Sequence, residues 1–379
     1  MSDNTGPARD LATLREELAE KDTELVRLLA ERMGLIREVA EYKAAKGLPS
    51  FDREREGALL DVLLAKAGEA GLPGEVVRDV FATLFAASRL DQRRFLQARA
   101  EKFSVGVIGG TQGMGAFMAK VIRAAGYAVE TTGLEEGRPS EEVAAAHDLV
   151  VLAVPIATTV EVARRIGPSV RPGACLMDVT SIKRQPLAAM LESTPETVDV
   201  VGTHPMFGPH GADFDRQKVV LCRGRGEAGF ARVKKLYEAF GAETIEATAE
   251  EHDAQMALIQ VLIHEKTMVL GSVLERLKAD LGRSLQFASP IYRTELAMVG
   301  RIFSQRAELY ADILTANEDA LRLSSVFEQE AGHFARAVAM SDREAIIQRF
   351  RQVSTYMQDF AAWAKKQSDT ILDELVRRG

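Results

Sequence analysis

Cysteine is almost absent: Cys175 and Cys222 are the only two in 379 residues. Their spacing fits neither a disulfide framework nor a zinc-ligand motif, which excludes a fold stapled by either. Histidine is scarce too, six in all, scattered with no pair at metal-ligand spacing, so no metal is expected. Positive charge is in deficit, a net −7 at pH 7, which disfavours nonspecific binding to nucleic acid. Long hydrophobic runs are missing as well. The stretch around Leu149 to Ala157 is too short to cross a bilayer, and Met1 to Asp10 lacks the apolar core of a signal peptide. These absences point to a cytoplasmic protein with reduced thiols, with no nucleic acid and no membrane expected as partner. What is abundant is apolar residue, 46% of the chain, enough for the two or three separate cores that this length implies.

Glycine and proline are nearly missing from the first stretch: between Asp10 and Lys46 only Gly34 interrupts. Leu11, Leu14, Leu18, Leu25, Leu28, Leu35 and Val39 recur at three- and four-residue steps, a helical stripe. At ~1.5 Å per residue the helix is on the order of 55 Å long, too long to bury its stripe in a domain of that size. Pairing with a second chain is the expected remedy. Gly47-Leu48-Pro49 ends this helix. A second helix is expected from Asp52 to Glu69 and a third from Glu75 to Ala98, separated by Gly71-Leu72-Pro73-Gly74. Arg15, Arg32 and Lys43 put cations on or beside the stripe. Arg32 and Lys43 lie eleven residues apart and share a face, whereas Arg15, seventeen residues before Arg32, points elsewhere, where it can reach a partner chain.

From Phe103 the pattern changes. Ser104–Ile108 reads as a buried strand, followed by the turn Gly109-Gly110-Thr111-Gln112-Gly113-Met114-Gly115 and a helix from Met114 to Ala125. Tyr127–Thr131, Leu149–Val154 and Cys175–Val179 continue a β/α alternation, which argues for a parallel sheet covered by helices on both faces. Strand, glycine turn and helix together form a dinucleotide fingerprint whose backbone N–H groups face a pyrophosphate. The fingerprint departs from its pattern twice. Gln112 stands at the middle glycine of Gly110-x-x-x-x-Gly115, and Thr132-Gly133 stands where an acid usually meets the ribose, with Glu135 and Glu136 slightly later. NAD and NADP therefore both stay open. Gly202-Thr203-His204-Pro205-Met206-Phe207-Gly208-Pro209 reads as a rigid loop presenting His204, whose ordinary pKa of about 6.5 suits a base near neutrality. From Thr248 to Gly379 amphipathic helices take over. The expected organisation is multidomain: an all-α segment 1–99, an α/β Rossmann-type segment 103–247 and an all-α segment 248–379.

The N-terminal cations belong to a larger set. Arg15, Arg32, Lys43, Asp52, Arg55, Glu56, Ser88 and Gln92 fall, with no gap, where the all-helical chorismate mutases carry functional residues, and the segment resembles that family. The resemblance implies a homodimer with two sites, each completed by Arg15 of the other chain. It implies that Arg15, Arg32 and Arg55 clamp the carboxylates of chorismate, with Ser88 in support. Lys43 and Gln92 would donate to the ether oxygen, and Asp52 and Glu56 would hold the hydroxyl.

The rest of the chain is similar to prephenate dehydrogenases. Val154-Pro155-Ile156, Asp178-Val179-Thr180-Ser181-Ile182-Lys183, the His204 stretch, Glu251-His252-Asp253 and the run Ser289–Arg301 occur in that family's order. From Asp10 to about Leu372 the chain resembles the fused chorismate mutase–prephenate dehydrogenases of tyrosine biosynthesis, the T-protein family. The resemblance implies that His204 takes the ring hydroxyl proton of prephenate, that Ser181 assists, and that Arg301 binds a carboxylate. Arg293 is either a second anion contact or support for its helix. Gln260, His264 and Tyr310 would line the pocket; for His264 a satisfied core position stays equally open. His252 reads as a structural part of its motif, and His147, His210 and His333 have no claim as catalysts. Gly109 to Gly115, with Val154 and Pro155, would hold the nicotinamide cofactor, NAD, with NADP left open. The family is often inhibited by tyrosine. Two other readings remain: the same chemistry on 4-amino-4-deoxy analogues, or a mutase whose second half survives only as a binding or dimerising module.

Overall fold

The computed structural model describes residues 10–46, 52–99, 101–134, 136–209 and 214–378; Gly47-Leu48-Pro49, Glu135 and His210 lie outside them. Three helices lead the chain: α1 (Leu11–Lys46), α2 (Arg53–Glu69) and α3 (Gly74–Arg99). Asp52 caps α2, its carboxylate accepting from Arg55 N at 3.0 Å. α3 packs against both α1 and α2. Every residue of α1 from Leu11 to Glu31 is nevertheless exposed, Leu18 at 63% and Leu25 at 56%. The leucine stripe thus runs off its own chain uncovered.

A seven-stranded sheet follows. β1 (Ser104–Ile108), α4 (Gly113–Ala124), β2 (Ala128–Thr132), α5 (Ser140–Ala146), β3 (Leu149–Leu152), α6 (Ile156–Ile166), β4 (Cys175–Asp178), α7 (Arg184–Ser193) and β5 (Asp199–Pro205) alternate, and β6 (Lys218–Arg225), α8 (Glu227–Ala239) and β7 (Glu243–Ala247) complete it. Strand order is β2-β1-β3-β4-β5-β6-β7. Side chains alternate across it with period two: Leu149 and Val151 join the core under α4 and α8, while Val150 and Leu152 join the core under α6 and α7. The two cysteines divide in the same way, Cys175 on the first face and Cys222 on the second, and burial pushes both thiols up to about 12.

Two features differ from the sequence reading. The sheet is not wholly parallel, because β6 runs antiparallel to β5. The His204 stretch is also not a loop: His204 sits near the end of β5, paired with Val220 of β6. β-Branched Val200, Val201 and Thr203 favour extended backbone there, and pairing on both sides outweighs the turn signals of Gly202 and Pro205.

Beyond the sheet the chain is helical: α9 (Ala249–Met256), a π-helical turn (Ala257–Leu262), α10 (Ile263–Arg276), α11 (Leu281–Leu285), α12 (Pro290–Phe303), α13 (Ala307–Ala316), α14 (Ala320–Ala339) and α15 (Arg343–Arg378). The run Ala249–Arg276 contains an 18-residue window of mean hydropathy 1.4, long and apolar enough by length and composition to cross a membrane, which a reading confined to Leu149–Ala157 overlooks. Here it packs against α12 and α14 and carries Gln260 to His204 on the sheet. Ile182, Ile156 of α6 and Ile313 of α13 form a small core that joins these helices to the sheet.

Candidate active sites

The first cluster lies between α1, α2 and α3. Arg32 on α1 donates to Ser88 Oγ on α3 at 2.6 Å, and the Ser88 hydroxyl donates in turn to Leu84 O at 2.6 Å. Lys43 stands close to Asp52, Arg55 and Glu56: burial and then the Arg55 guanidinium lower its pKa, while the two carboxylates oppose them. Gln92, one turn beyond Ser88 on α3, is buried, and its Oε1 has no hydrogen-bond partner. Seven of the eight residues singled out above therefore belong to one end of the helical segment. Arg15 does not join them. It is exposed on α1, roughly 26 Å from Arg32 along the helix at ~1.5 Å per residue.

Spacing arguments give no role to Arg89, which the structure places at the centre of this end. Its guanidinium grips both Glu56 oxygens, at 2.9 and 2.7 Å, and also donates to Asp215 Oδ2 at 3.2 Å. Arg93, one turn later, pairs with Asp215 Oδ1. One carboxylate from just before β6 thus ties α3 to the sheet segment, aided by Gln97 Nε2, which donates to Ala239 O at 2.8 Å. Two arginines four residues apart on a buried helix face are the only local hint. Their partner lies 122 and 126 residues downstream.

The second cluster lies along the C-terminal edge of the parallel strands, where α/β sheets bind ligands. The turn after β1 supplies one part of it. A Cβ at Gly109 would come within 2.4 Å of Ala153 O, and one at Gly115 within 2.1 Å of Gly109 O, so glycine is needed for close packing of turn, helix and β3. Gly113, the first residue of α4, has φ +56° and open space where a Cβ would be. Gln112 caps the helix with extended backbone, and its exposed side chain makes no capping bond. Thr111 is exposed beside it, and Met114 packs inward on the core. Val154 and Pro155 follow β3, Pro155 as the cap of α6. At the end of β2 the Thr132 hydroxyl donates to Glu136 O and Arg138 O, 3.1 and 2.7 Å away.

His204, 3% exposed, stands on β5 at the same edge, with β3 and β4 between it and β1. Its Nε2 lies 3.4 Å from Gln260 Nε2 on the π-helical turn, and its Nδ1 lies 2.9 Å from His252 Nε2. His252 Nδ1 is 2.7 Å from Asp253 Oδ1. His252, read above as a structural part of its motif, has its ring against that of His204, 5.1 Å between centroids, and is 1% exposed. Burial, then His252 and Lys183, holds the His204 pKa well below its ordinary value. Burial also lowers that of His252, against the pull of Asp253. Beneath them a buried Lys183–Asp178 ion pair, joined by the Thr180 hydroxyl, fixes the loop after β4 on which half-buried Ser181 sits. Asp178 Oδ1 also accepts from Thr203 N at 3.2 Å.

One turn beyond Gln260, His264 on α10 meets Tyr310 of α13 edge-on, 5.0 Å between centroids. Burial lowers the His264 pKa and raises that of Tyr310, the latter opposed by nearby Arg301. Gln260 Oε1 and His264 Nδ1 are buried without a hydrogen-bond partner. Orphaned polar atoms of this kind mark where a ligand's polar groups fit. Arg301 is exposed at the end of α12, and Arg293, two turns earlier, is also exposed. Among the described residues no group of three His, Cys, Asp or Glu could hold a metal.

Comparison with known proteins agrees with this geometry. Residues 14–93 match chorismate mutase type II, residues 106–246 the nucleotide-binding domain of prephenate dehydrogenase, and residues 248–352 its dimerization domain. The chain is 33% identical over 366 residues to a T-protein of Haemophilus influenzae, covering 96% of this chain and 97% of that one. A T-protein of Enterobacter agglomerans is 34% identical over 355 residues, covering 93% and 94%. Among solved structures, a prephenate dehydrogenase from A. aeolicus in complex with hydroxyphenyl propionate and NAD+ shares the fold, with TM-score 0.55 at 19% identity, covering 69% of this chain and 99% of that one.

Proposed function

The chain belongs to the family of bifunctional chorismate mutase–prephenate dehydrogenases of tyrosine biosynthesis, and from that premise we propose how its residues divide the two reactions. The T-protein relatives span both halves, which favours neither an amino-substrate enzyme nor a second half reduced to a module. We place the boundaries at 1–99, 103–247 and 248–379.

Rearrangement of chorismate to prephenate needs no nucleophile; the substrate must be folded and charge stabilised as the ether bond breaks. Arg32, steadied by Ser88, and Arg55 hold carboxylates, and Arg15 arrives from a second chain. Lys43 and Gln92 donate to the ether oxygen. A half-turn of the Gln92 amide presents Nε2 at the position of the unpartnered Oε1. Asp52 and Glu56 hold the hydroxyl, Glu56 being oriented by Arg89. The uncovered stripe of α1 and the matched dimerization segment both support a homodimer.

For the second reaction, the open Gly113 at the start of α4, flanked by crowded Gly109 and Gly115, fits a pyrophosphate against backbone N–H groups. Gly110, Thr111, Gln112, Met114, Val154 and Pro155 complete the cradle. NAD, when bound, accepts the hydride. His204 takes the hydroxyl proton as the carbinol carbon becomes a carbonyl. Loss of the ring carboxylate as CO2 then returns the electron pair and makes a phenol, which recovers the proton. Ser181 steadies the hydroxyl, Arg301 and Arg293 face carboxylates at the pocket mouth, and Gln260, His264 and Tyr310 fill its wall. The observation that carries this reading is His204 within 3.4 Å of the Gln260 amide, whose Oε1 is buried and unpartnered like the Nδ1 of His264 one turn on, with His204 on the same sheet edge as the glycine turn. Tyrosine, a phenol with a carboxylate, fits the same pocket as an inhibitor, and we assign the enzyme to the cytoplasm. The test is purified protein with prephenate and either NAD or NADP, following reduced nicotinamide. Turnover with at least one cofactor, lost in His204→Asn, is expected; turnover that survives in His204→Asn overturns the role of His204.

A further inference from the structure

Histidine can act as a base only through a ring nitrogen that carries no proton, so which nitrogen of His204 is bare decides its chemistry. The hydrogen bonds around it fix the answer in one direction. Asp253 is acceptor-only when ionised, and its oxygens already take Lys183 N at 2.7 Å and Arg184 N at 2.9 Å. His252 Nδ1, 2.7 Å from the same carboxylate, must therefore carry a proton and donate it. A neutral His252 then has a bare Nε2, which can only accept. His204 Nδ1, 2.9 Å away, must be the donor. That leaves His204 Nε2 bare on the pocket side, facing an N–H of Gln260.

We propose that His252 and Asp253 are positioning residues: they lock His204 in the tautomer with Nε2 free, and share the positive charge that forms when Nε2 takes a proton. The proposal rests on the reading of His204 as the base for prephenate oxidation. Charge sharing follows from the same chain. A protonated His204 donates more strongly through Nδ1, and the neutral acceptor is backed by a carboxylate. A cationic His252 would reverse the order, making Nδ1 of His204 the acceptor and putting the proton on Nε2. The surroundings oppose that: burial lowers the His252 pKa. The charged groups around the two rings are Asp253 of α9 and Lys183 of the loop after β4, the latter paired with Asp178 of β4, while the π-helical turn contributes neutral Gln260. The scaffold holds Asp253 from two sides: its carboxylate through the N–H groups of Lys183 and Arg184 at the start of α7, and its backbone carbonyl through Asn317, whose Nδ2 donates to Asp253 O at 2.8 Å.

The test begins on the unaltered enzyme. Nitrogen-15 spectra of histidine-labelled protein at pH 8, with the His204 signals identified by their loss in His204→Asn, should show Nδ1 protonated and Nε2 bare. The opposite tautomer overturns the proposal without any variant at His252. His252→Leu, which removes the acceptor, should lower kcat for prephenate oxidation about a hundredfold, with KM for prephenate within about twofold and the chorismate mutase rate unchanged as a check on folding. His252→Gln, which returns an acceptor oxygen near the place of Nε2, should recover about tenfold of that loss. Full kcat in His252→Leu with an unchanged tautomer overturns the proposal, while loss of oxidation in His204→Asn alone would leave the identity of the base intact. Unimpaired oxidation in His204→Asn defeats the underlying reading instead.

Discussion

The two candidate sites of this enzyme are built in opposite ways. Around His204 the parts are interlocked: a strand paired on both sides, a buried ion pair beneath, and a chain of hydrogen bonds running from the start of α7 through Asp253 and His252 to Nδ1 of the His204 ring. Around Arg32 the parts are spread along helices, one cation of the set stands on an exposed rod, and the most heavily bonded residue, Arg89, is braced from another segment. The difference follows the chemistry. Proton and hydride removal needs one nitrogen in one tautomer, which calls for a dry, over-determined setting. A rearrangement needs several charges around a folded dianion, and two protomers can share that task.

The strongest way to break the comparison is to show that the helical site is complete within one chain. Arg15→Ala should lower the mutase rate by roughly a hundredfold or more, as expected for losing one charge-stabilising donor. Mixing subunits of Arg15→Ala with subunits of Arg32→Ala should restore activity, because a mixed dimer contains one intact site. Random exchange gives about a quarter of the normal rate. No recovery after verified exchange would place Arg15 in its own chain's site.

A smaller effect is expected at the brace. Asp215→Asn leaves Arg89 and Arg93 with a weakened partner in a mostly buried position, at a cost of about 2 kcal/mol. Denaturant unfolding should show that loss together with a raised KM for chorismate, while the KM for prephenate stays put. An unchanged chorismate KM would mean that Arg89 holds Glu56 without help from the sheet.

Acidity sharpens the contrast further. His204, His252 and His264 all have pKa values lowered chiefly by burial, so the folded protein keeps them neutral where an unfolded chain takes up protons near pH ~6.5. Stability should be level above that pH and fall below it. The acid limb of dehydrogenase kcat/KM should likewise lie below pH ~6.5, since His204 must be neutral to accept a proton. A limb centred above pH ~7 would contradict the buried, neutral base. Least of all, Gly113→Ala should cost about 1 kcal/mol for its left-handed backbone and raise the KM for the cofactor several-fold. An unchanged KM would remove Gly113 from the pyrophosphate cradle.

Much of the fold is legible in local sequence patterns. The glycine turn between a strand and a helix, the leucine stripe of α1 and the alternation of β3 each follow from spacing within one element, and the structure has all three. Other features depend on residues far apart in the chain. Asp215 meets Arg89 across 126 residues, and His252 meets His204 across 48, so neither pairing leaves a mark in local periodicity. The π-helical turn that aims Gln260 at His204 has the same apolar composition as an ordinary helix. The turn signals of Gly202 and Pro205 suggested a loop because pairing with β4 and β6 cannot be seen from the stretch itself.

Two separately built sites on one chain is the central claim, and a reciprocal assay tests it most directly: mutase rate with chorismate, and oxidation of supplied prephenate, each measured in Arg32→Ala and in His204→Asn. The expected result is that Arg32→Ala loses only the rearrangement and His204→Asn only the oxidation, each by about a hundredfold or more. Joint loss of both activities in either variant would contradict it.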